Sequence, residues 1–209
     1  MPPVSLTPQG TLPLVAFAPR SDGVVRALEA HVDWQDDGLL RFQYTLDAEP
    51  GRIQVPGRRA PRQADELWKH TCFEAFVALA AGGVQDASIA PRPVAATPVT
   101  HAGYRELNFA PSTEWAAYAF DGYRTGMVQV TMQPPPDIRV EASAGRLHVS
   151  ARVDLRTLFA RDERAPRPTL RVALAAVIED DGGTITYWAL KHAPTKPDFH
   201  HPAGFILEV

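Results

Sequence analysis

The sequence predicts an all-β protein in which two antiparallel sheets pack as a sandwich, with a jelly roll as one form of that arrangement. Many short segments alternate apolar and polar residues, which is the period of a strand with one buried face. Turn signals rich in Gly, Asp and Ser separate these segments at nearly regular intervals. No segment keeps a helical period over three turns, and the 20 Pro residues interrupt helices and central strands alike.

Three hairpins carry most of this prediction, because each has an alternating strand on both sides of a turn signal. The first turn is Asp36-Asp37-Gly38, the second is centred on Gly145, and the third is the acidic, Gly-rich run 179–183. The hairpins are expected at 24–46, 138–153 and 170–190.

The other elements are shorter and complete a single domain over 1–209, without internal repeats or linker composition. Residues 1–20 are expected to form an N-terminal arm or edge strand, and 48–66 a polar loop that is long for a compact domain. Asp154 is placed to cap one helical turn at 154–159. Further strands are expected at 67–79, 104–109, 115–120, 127–132 and 205–209, with a short one near 87–89.

Composition excludes several classes of function. A net charge of -3 over 209 residues offers no electrostatic basis for binding nucleic acid or a membrane surface. Cys72 is the single cysteine, so no intramolecular disulfide can form. The N-terminus lacks a signal-peptide pattern, and no apolar run is long enough to cross a bilayer. These features predict a soluble, cytoplasmic protein and leave its oligomeric state open.

Two predicted strands carry rows of polar side chains, since alternate residues of a strand share a face. In the strand that starts at 68, one row of alternate side chains ends with Phe73, Ala75 and Val77, and this row is expected to face the core. Glu74 lies among apolar neighbours, which predicts a buried and therefore paired carboxylate. Glu106 lies in a more polar strand, where a solvated sheet face is an equal alternative. The two polar rows are Trp68, His70, Cys72, Glu74 and Phe76, and Tyr104, Glu106 and Asn108.

The stretch from Tyr187 to Pro202 is the densest in polar groups, with three of the seven His residues. Pro194 and Pro197 stiffen a loop of the kind on which scaffolds often mount binding groups. The alternative is structural, with Asp198 in an Asx-turn and His200 capping a strand. A structural role as a pin to acids on the sheet is also expected for Lys191, Lys196 and Asp198. The candidate ligand-binding residues of this stretch are Trp188, His192, Lys196, Asp198 and His200.

Four motifs together resemble a bacterial family of DOMON-like domains, which is similar to family 9 carbohydrate-binding modules and to haem- and sugar-binding DOMON domains. They are 68–76 (WKHTCFEAF), 104–112 (YRELNFAPS), 115–124 (WAAYAFDGYR) and 187–202. The resemblance runs from about Val24 to the C-terminus. It implies a two-sheet sandwich with a ligand pocket on or beside one sheet, where Trp68 would flank a sugar and Glu74, Glu106 and Asn108 would hold its hydroxyls.

The leading functional hypothesis is a non-catalytic module without a cofactor that binds a small ligand, with a saccharide as the first choice. Sugar sites combine an aromatic platform with acids and amides that hydrogen-bond hydroxyl groups. The candidate ligand-binding residues are Trp68, His70, Glu74, Glu106, Asn108, Trp188, His192, Lys196, Asp198 and His200.

Two other classes of function stay open. Haem or a metal ion could use His70, Cys72 and Glu74 with the downstream histidines, since these are competent ligands. The resemblance implies a Met and a His as haem ligands, but Met127 and Met132 lie outside the motifs. A glycosidase-like enzyme could pair Glu74 with Glu106, or Cys72 could act as a nucleophile beside His70. No nucleophile elbow, phosphate loop or dinucleotide fingerprint is present.

Overall fold

A computed structural model describes residues 10–18, 23–80, 103–159 and 167–209. These ranges confirm the predicted all-β sandwich of two antiparallel sheets, which are not closed into a barrel. The strand expected near 87–89 lies outside the described ranges, as do residues 1–9 and 19–20 of the expected arm. Within them, no helix is long and apolar enough to cross a membrane.

The strands are numbered in chain order. They are β1 (Leu12–Pro13), β2 (Val15–Ala16), β3 (Val25–Trp34), β4 (Leu40–Ala48), β5 (Cys72–Leu79), β6 (Tyr104–Phe109), β7 (Trp115–Phe120), β8 (Val128–Gln129), β9 (Asp137–Ser143), β10 (Arg146–Val153), β11 (Leu170–Glu179), β12 (Ile185–Ala189) and β13 (Leu207–Glu208). A single helical turn, α1 (Arg156–Phe159), follows β10, and Asp154 Oδ1 accepts the backbone N–H of Arg156 as a cap should.

The smaller sheet has the strand order β1-β3-β4-β10-β9, and the larger sheet has the order β2-β12-β11-β5-β6-β7-β8, with β13 also paired to β11. The three predicted hairpins are β3–β4, β9–β10 and β11–β12. The N-terminal arm joins the two sheets, since β1 pairs with β3 and β2 pairs with β12.

The main core lies between the sheets and follows from strand alternation. In β5, the predicted core-facing residues Phe73, Ala75 and Val77 are fully buried there. Phe73 packs on Tyr44 of the smaller sheet with ring centroids 5.1 Å apart. Because side chains of a strand alternate, the neighbouring residues of β5 must point away from this core. That geometry gives the larger sheet an outer face, defined here as the face directed away from the smaller sheet.

Three strands are shorter than the sequence predicts. The strand expected over 67–79 begins at Cys72, because Leu67–Lys69 forms a 3-10 turn that starts from Glu66 at φ 57°. Trp68 and His70 therefore do not belong to the row of β5 side chains in which the pattern placed them. The strands expected at 127–132 and 205–209 shrink to the two-residue strands β8 and β13.

Candidate ligand-binding site

The outer face of the larger sheet brings the predicted acids together. Glu74 of β5 is paired in register with Asn108 of β6, and Phe76 is paired with Glu106. Glu74 and Glu106 are therefore diagonal neighbours on one face, positions whose Cα atoms are usually about 7–8 Å apart. Glu74, Glu106, Asn108, Tyr104 and the overlying His200 are called the acid site below.

A second apolar cluster covers this face, so it is not the solvated side of a sheet. The 67–69 turn lies over one part of it, and the C-terminal loop (residues 190–206) lies over another part. The cluster consists of Phe76, Tyr104, Ala116, Tyr118, Phe120, Ala173, Ala175, Ala189 and Phe205, with Leu67, Trp68, Ala78 and Phe199 packed against it.

Both acids are buried under this cover, at 3% exposure for Glu74 and 5% for Glu106. Burial raises the pKa of Glu74 well above its ordinary value, and the nearby charge of Glu106 raises it further. Burial also raises the pKa of Glu106 to about 7, although a hydrogen bond from Asn108 and the charge of Arg124 oppose the shift. Glu74 Oε1 has no hydrogen-bond partner among the described residues, which is costly for a buried polar atom.

A chain of hydrogen bonds orients the other groups of the acid site. Asn108 Nδ2 donates to Glu106 Oε1 at 2.9 Å, and the Cys72 thiol donates to Asn108 Oδ1 at 3.7 Å. The Tyr104 hydroxyl and His200 Nδ1 lie 2.7 Å apart. Burial lowers the pKa of His200 to about 4 and raises that of Tyr104 to about 12, so both are neutral at pH 7.

The roles of Tyr104 and His200 in this contact depend on the tautomer of His200. In the tautomer where the Tyr104 phenol donates, Nδ1 is the acceptor and Nε2 carries the ring proton. His200 Nε2 lies 3.8 Å from Glu106 Oε2, which is longer than a hydrogen bond. In that tautomer the ring presents an N–H that is only loosely matched to Glu106.

Trp68 joins the site from outside the sheet. It is half-buried and meets Tyr118 edge to face, with ring centroids 5.6 Å apart. The Tyr118 hydroxyl in turn donates to Asp65, next to the residue with left-handed backbone. The 65–69 segment thus places an aromatic ring at the rim of the covered face.

Asp198 anchors the C-terminal loop rather than lining the acid site. Its Oδ1 accepts hydrogen bonds from Arg124 Nη2 at 2.8 Å and Nε at 3.2 Å, and its Oδ2 accepts one from the Tyr123 hydroxyl. Burial works to raise the pKa of Asp198, but these donors hold it below its ordinary value. Lys191 and Lys196 are exposed, so the expected pin to acids on the sheet is replaced by an ion pair with the 121–127 turn.

Four of the ten candidate residues lie away from the acid site. His70 is exposed and its Nδ1 is 2.7 Å from Glu179 Oε2. Trp188 packs against the main core, since the next residue, Ala189, takes the outward position of β12. His192 Nε2 lies 2.8 Å from the carbonyl oxygen of Val15. The fourth, Lys196, is exposed on the C-terminal loop.

The structure adds residues that the sequence argument did not name as ligand-binding. Tyr104 shares a strand face with Glu106 and Asn108, so alternation was a usable signal for it. Tyr118 is paired in register with Glu106 across β6 and β7. Arg124 gave no local signal, because its partner Asp198 is 74 residues further along the chain.

The groups proposed for metal or haem are dispersed. In the ranges that the structure describes, no set of three or more His, Cys, Asp or Glu residues is placed to hold a metal ion. His70 is exposed, whereas Cys72 is fully buried. Met132 is buried in the main core, and Met127 is exposed.

Two cavities among the described residues lie away from the acid site. One, of about 440 Å³, is formed by the β9–β10 hairpin, and the other, of about 330 Å³, lies beside the N-terminal arm and Trp188. The acid site itself is closed in this conformation. A ligand larger than water reaches Glu74 and Glu106 only if part of the cover moves.

The comparisons with known proteins bear on the fold. No protein-family model and no curated protein sequence matches the chain. Among solved structures, the chain is similar to a Bacteroides uniformis protein provisionally described as carbohydrate-binding, with a TM-score of 0.61 and 11% sequence identity. The match covers 95% of this chain and 85% of that one. At this identity the likeness shows a shared fold alone, and the resemblance to DOMON-like domains stays a prediction.

Proposed function

We propose that this chain is a non-catalytic module that binds a saccharide on the outer face of its larger sheet. One observation carries the proposal: Glu74 Oε1 is a buried acceptor without a partner in the described residues, in a covered cluster of aromatic rings, an amide and a second acid. A sheet does not normally bury such a group of polar side chains on the face directed away from the main core. Each buried polar atom without a hydrogen-bond partner costs free energy. A ligand that supplies hydroxyl groups would remove that cost.

The protonation of the acid site suits neutral hydroxyl groups. With the pKa of Glu74 well raised and that of Glu106 near 7, the carboxyls are largely protonated at mildly acidic pH. A protonated carboxyl both donates and accepts, as does a sugar hydroxyl. Trp68 and Tyr118 supply the apolar wall that carbohydrate sites place against the C–H face of the sugar ring. The fold likeness and the DOMON-like resemblance are consistent with this proposal.

Catalysis by the acid pair is not part of the proposal. A glycosidase of the usual kind needs one carboxyl protonated and the other ionised, so that acid and nucleophile or base act together. Here burial is the largest cause of the pKa shift at both acids, and it moves both upward. The charge of an ionised Glu106 itself raises the pKa of Glu74, so a division of roles is chemically available to the pair, but saccharide binding does not depend on it.

Access would require displacement of the C-terminal loop. His200 contributes to the acid site through Tyr104, and Asp198 holds the same loop to the 121–127 turn. Opening would therefore break the Asp198–Arg124 pair while leaving the sheet intact. Loop displacements of this kind are common in binding proteins.

We expect Trp68→Ala to weaken saccharide binding by about tenfold or more, because it removes the aromatic ring at the rim of the site. A glycan array would first identify a saccharide, and calorimetry would then compare the variant with the wild type. Trp34→Ala is the matched control, since Trp34 is also half-buried but lies on the smaller sheet. Absence of any hit on the array, or equal losses in the two variants, would overturn the proposal.

A further inference from the structure

A separate cavity of about 330 Å³ lies at the edge of the sandwich, between the N-terminal arm and the β11–β12 hairpin. The arm closes it on one side, because β1 pairs with the smaller sheet and β2 with the larger one. This edge cavity includes Trp188, one of the four candidate residues that lie away from the acid site. Its main walls are Leu14, Val24, Ile53, Ile178, Thr186 and Trp188.

The polar side chains of the edge cavity already have partners. Trp188 Nε1 donates to Thr186 Oγ1 at 2.9 Å, and the Thr186 hydroxyl donates to the carbonyl oxygen of Ile178 at 3.2 Å. Asp180 Oδ1 accepts the backbone N–H groups of Gly182 and Thr184 at 3.0 and 2.8 Å. No buried polar side chain on the described wall therefore lacks a partner. What the cavity offers is mainly apolar contact, from aliphatic side chains and one indole.

We propose that the edge cavity binds the aliphatic chain of a small amphiphile, with the polar end of that molecule left in solvent at the mouth. The mouth is marked by Val15 and Ala18, which line the cavity and are exposed. The volume falls at the small end of the roughly 300–1,000 Å³ range of small-molecule sites. A protein partner is disfavoured, because stable protein interfaces bury about 800 Å² on each side of a much flatter surface. The proposal does not depend on the saccharide site, since it shares no residue with it.

The test is a homologous series of n-alkanols from butanol to decanol, titrated calorimetrically into the full chain. Each added methylene should tighten binding about fourfold, the factor that corresponds to about 0.8 kcal/mol per buried CH₂. The gain should stop at the chain length that fills the cavity. Binding to an open apolar surface would instead be weak and would show no such limit.

Two variants fill the edge cavity from different sides, Ala18→Trp at the mouth and Ala16→Leu on β2. Both should reduce alkanol affinity at least tenfold. Ala60→Trp is the matched control, since Ala60 is an exposed alanine of the long 49–66 loop, and it should leave affinity unchanged. Trp68→Ala should also leave it unchanged, which separates this result from any failure of the saccharide proposal.

Three outcomes would overturn the inference. One is the absence of alkanol binding at every chain length. A second is binding that survives both filling variants, because the ligand then lies elsewhere. The third is the absence of alkanol binding together with self-association of the chain, measured by sedimentation, that Ala18→Trp abolishes. A second copy of the chain would then occupy the cavity.

Discussion

Asp198→Ala is expected to lower the free energy of unfolding by about 2 kcal/mol at pH 7. The Asp198 side chain is only 2% exposed and accepts hydrogen bonds from Arg124 and from the Tyr123 hydroxyl. Removing one partner of a fully buried ion pair costs about 3–5 kcal/mol. The Arg124 side chain is 48% exposed, so water compensates part of the loss and the smaller figure applies. Chemical denaturation followed by far-UV circular dichroism would measure the change.

Asp181→Ala is the matched control for this prediction. Asp181 accepts a hydrogen bond from Arg52 Nε at 2.9 Å, but both side chains are well exposed. Exposed pairs of this kind contribute at most about 1 kcal/mol. A loss at Asp198 no larger than that at Asp181 would show that the C-terminal loop is held by other contacts.

The backbone of Arg124 gives a separate prediction, about strain at the residue that pairs with Asp198. Arg124 has φ 55°, in the left-handed region that costs a side-chain-bearing residue about 1–2 kcal/mol. Arg124→Ala and Arg124→Gly both remove the ion pair, but only glycine relieves the backbone. The glycine variant should therefore be about 1 kcal/mol more stable than the alanine variant. Strain retained beside a buried ion pair is typical of a segment that the surrounding structure holds for a functional reason.

The fold was predictable because alternation in a strand is a local signal. Leu40, Phe42, Tyr44 and Leu46 alternate with polar residues, and all four are buried in the main core. The start of β5 was not predictable in this way. Residues 67–71 carry no turn signal that would separate them from the strand, and the left-handed backbone of Glu66 and the 3-10 turn that follows it delay the start of β5 to Cys72.

The candidate site was predictable where it depends on one strand and unpredictable where it depends on distant segments. Glu74, Glu106 and Asn108 share a face by alternation alone, and β5–β6 pairing makes them neighbours. Trp188 was grouped with them because polar and aromatic residues are dense around it. The density of polar and aromatic residues along the chain does not tell on which face of a strand each residue lies. In β12, Ala189 lies on the outer face of the larger sheet, so Trp188 does not.

The acid site also determines how stability responds to pH, through two groups that act in opposite directions. Glu106 has its pKa raised by burial from 4.5 to about 7, so the folded protein binds more protons than the unfolded chain between those values. This term makes stability fall as pH rises. His200 has its pKa lowered by burial from 6.5 to about 4, so the folded protein binds fewer protons in that range. Its term makes stability rise with pH, and the two terms largely cancel between pH 4.5 and 6.5.

Single substitutions at Glu106 and at His200 should reveal how much each group contributes to the pH dependence of stability. Relative to the wild type, Glu106→Gln should gain on the order of 3 kcal/mol of stability as pH rises from 4.5 to 7, since each pKa unit corresponds to 1.36 kcal/mol. The introduced amide would keep an oxygen to accept the hydrogen bond from Asn108 Nδ2. His200→Asn keeps an acceptor for the Tyr104 hydroxyl, and it should lose a similar amount relative to the wild type between pH 4 and 6.5.

Urea denaturation at half-unit steps from pH 4 to 8 measures both differences, and comparison with the wild type removes the contributions of distant ion-paired acids, such as Asp154. Glu106→Gln also removes the charge that helps to raise the pKa of Glu74, which adds to its relative gain at high pH. Opposite slopes would show that burial keeps Glu106 protonated and His200 deprotonated in the folded protein. A flat difference for Glu106→Gln would mean that this carboxyl ionises normally in the folded state. Either the hydrogen bond from Asn108 and the charge of Arg124 would then offset burial fully, or solvent would reach the acid site through an open C-terminal loop. In the second case a saccharide would meet a site that is already open.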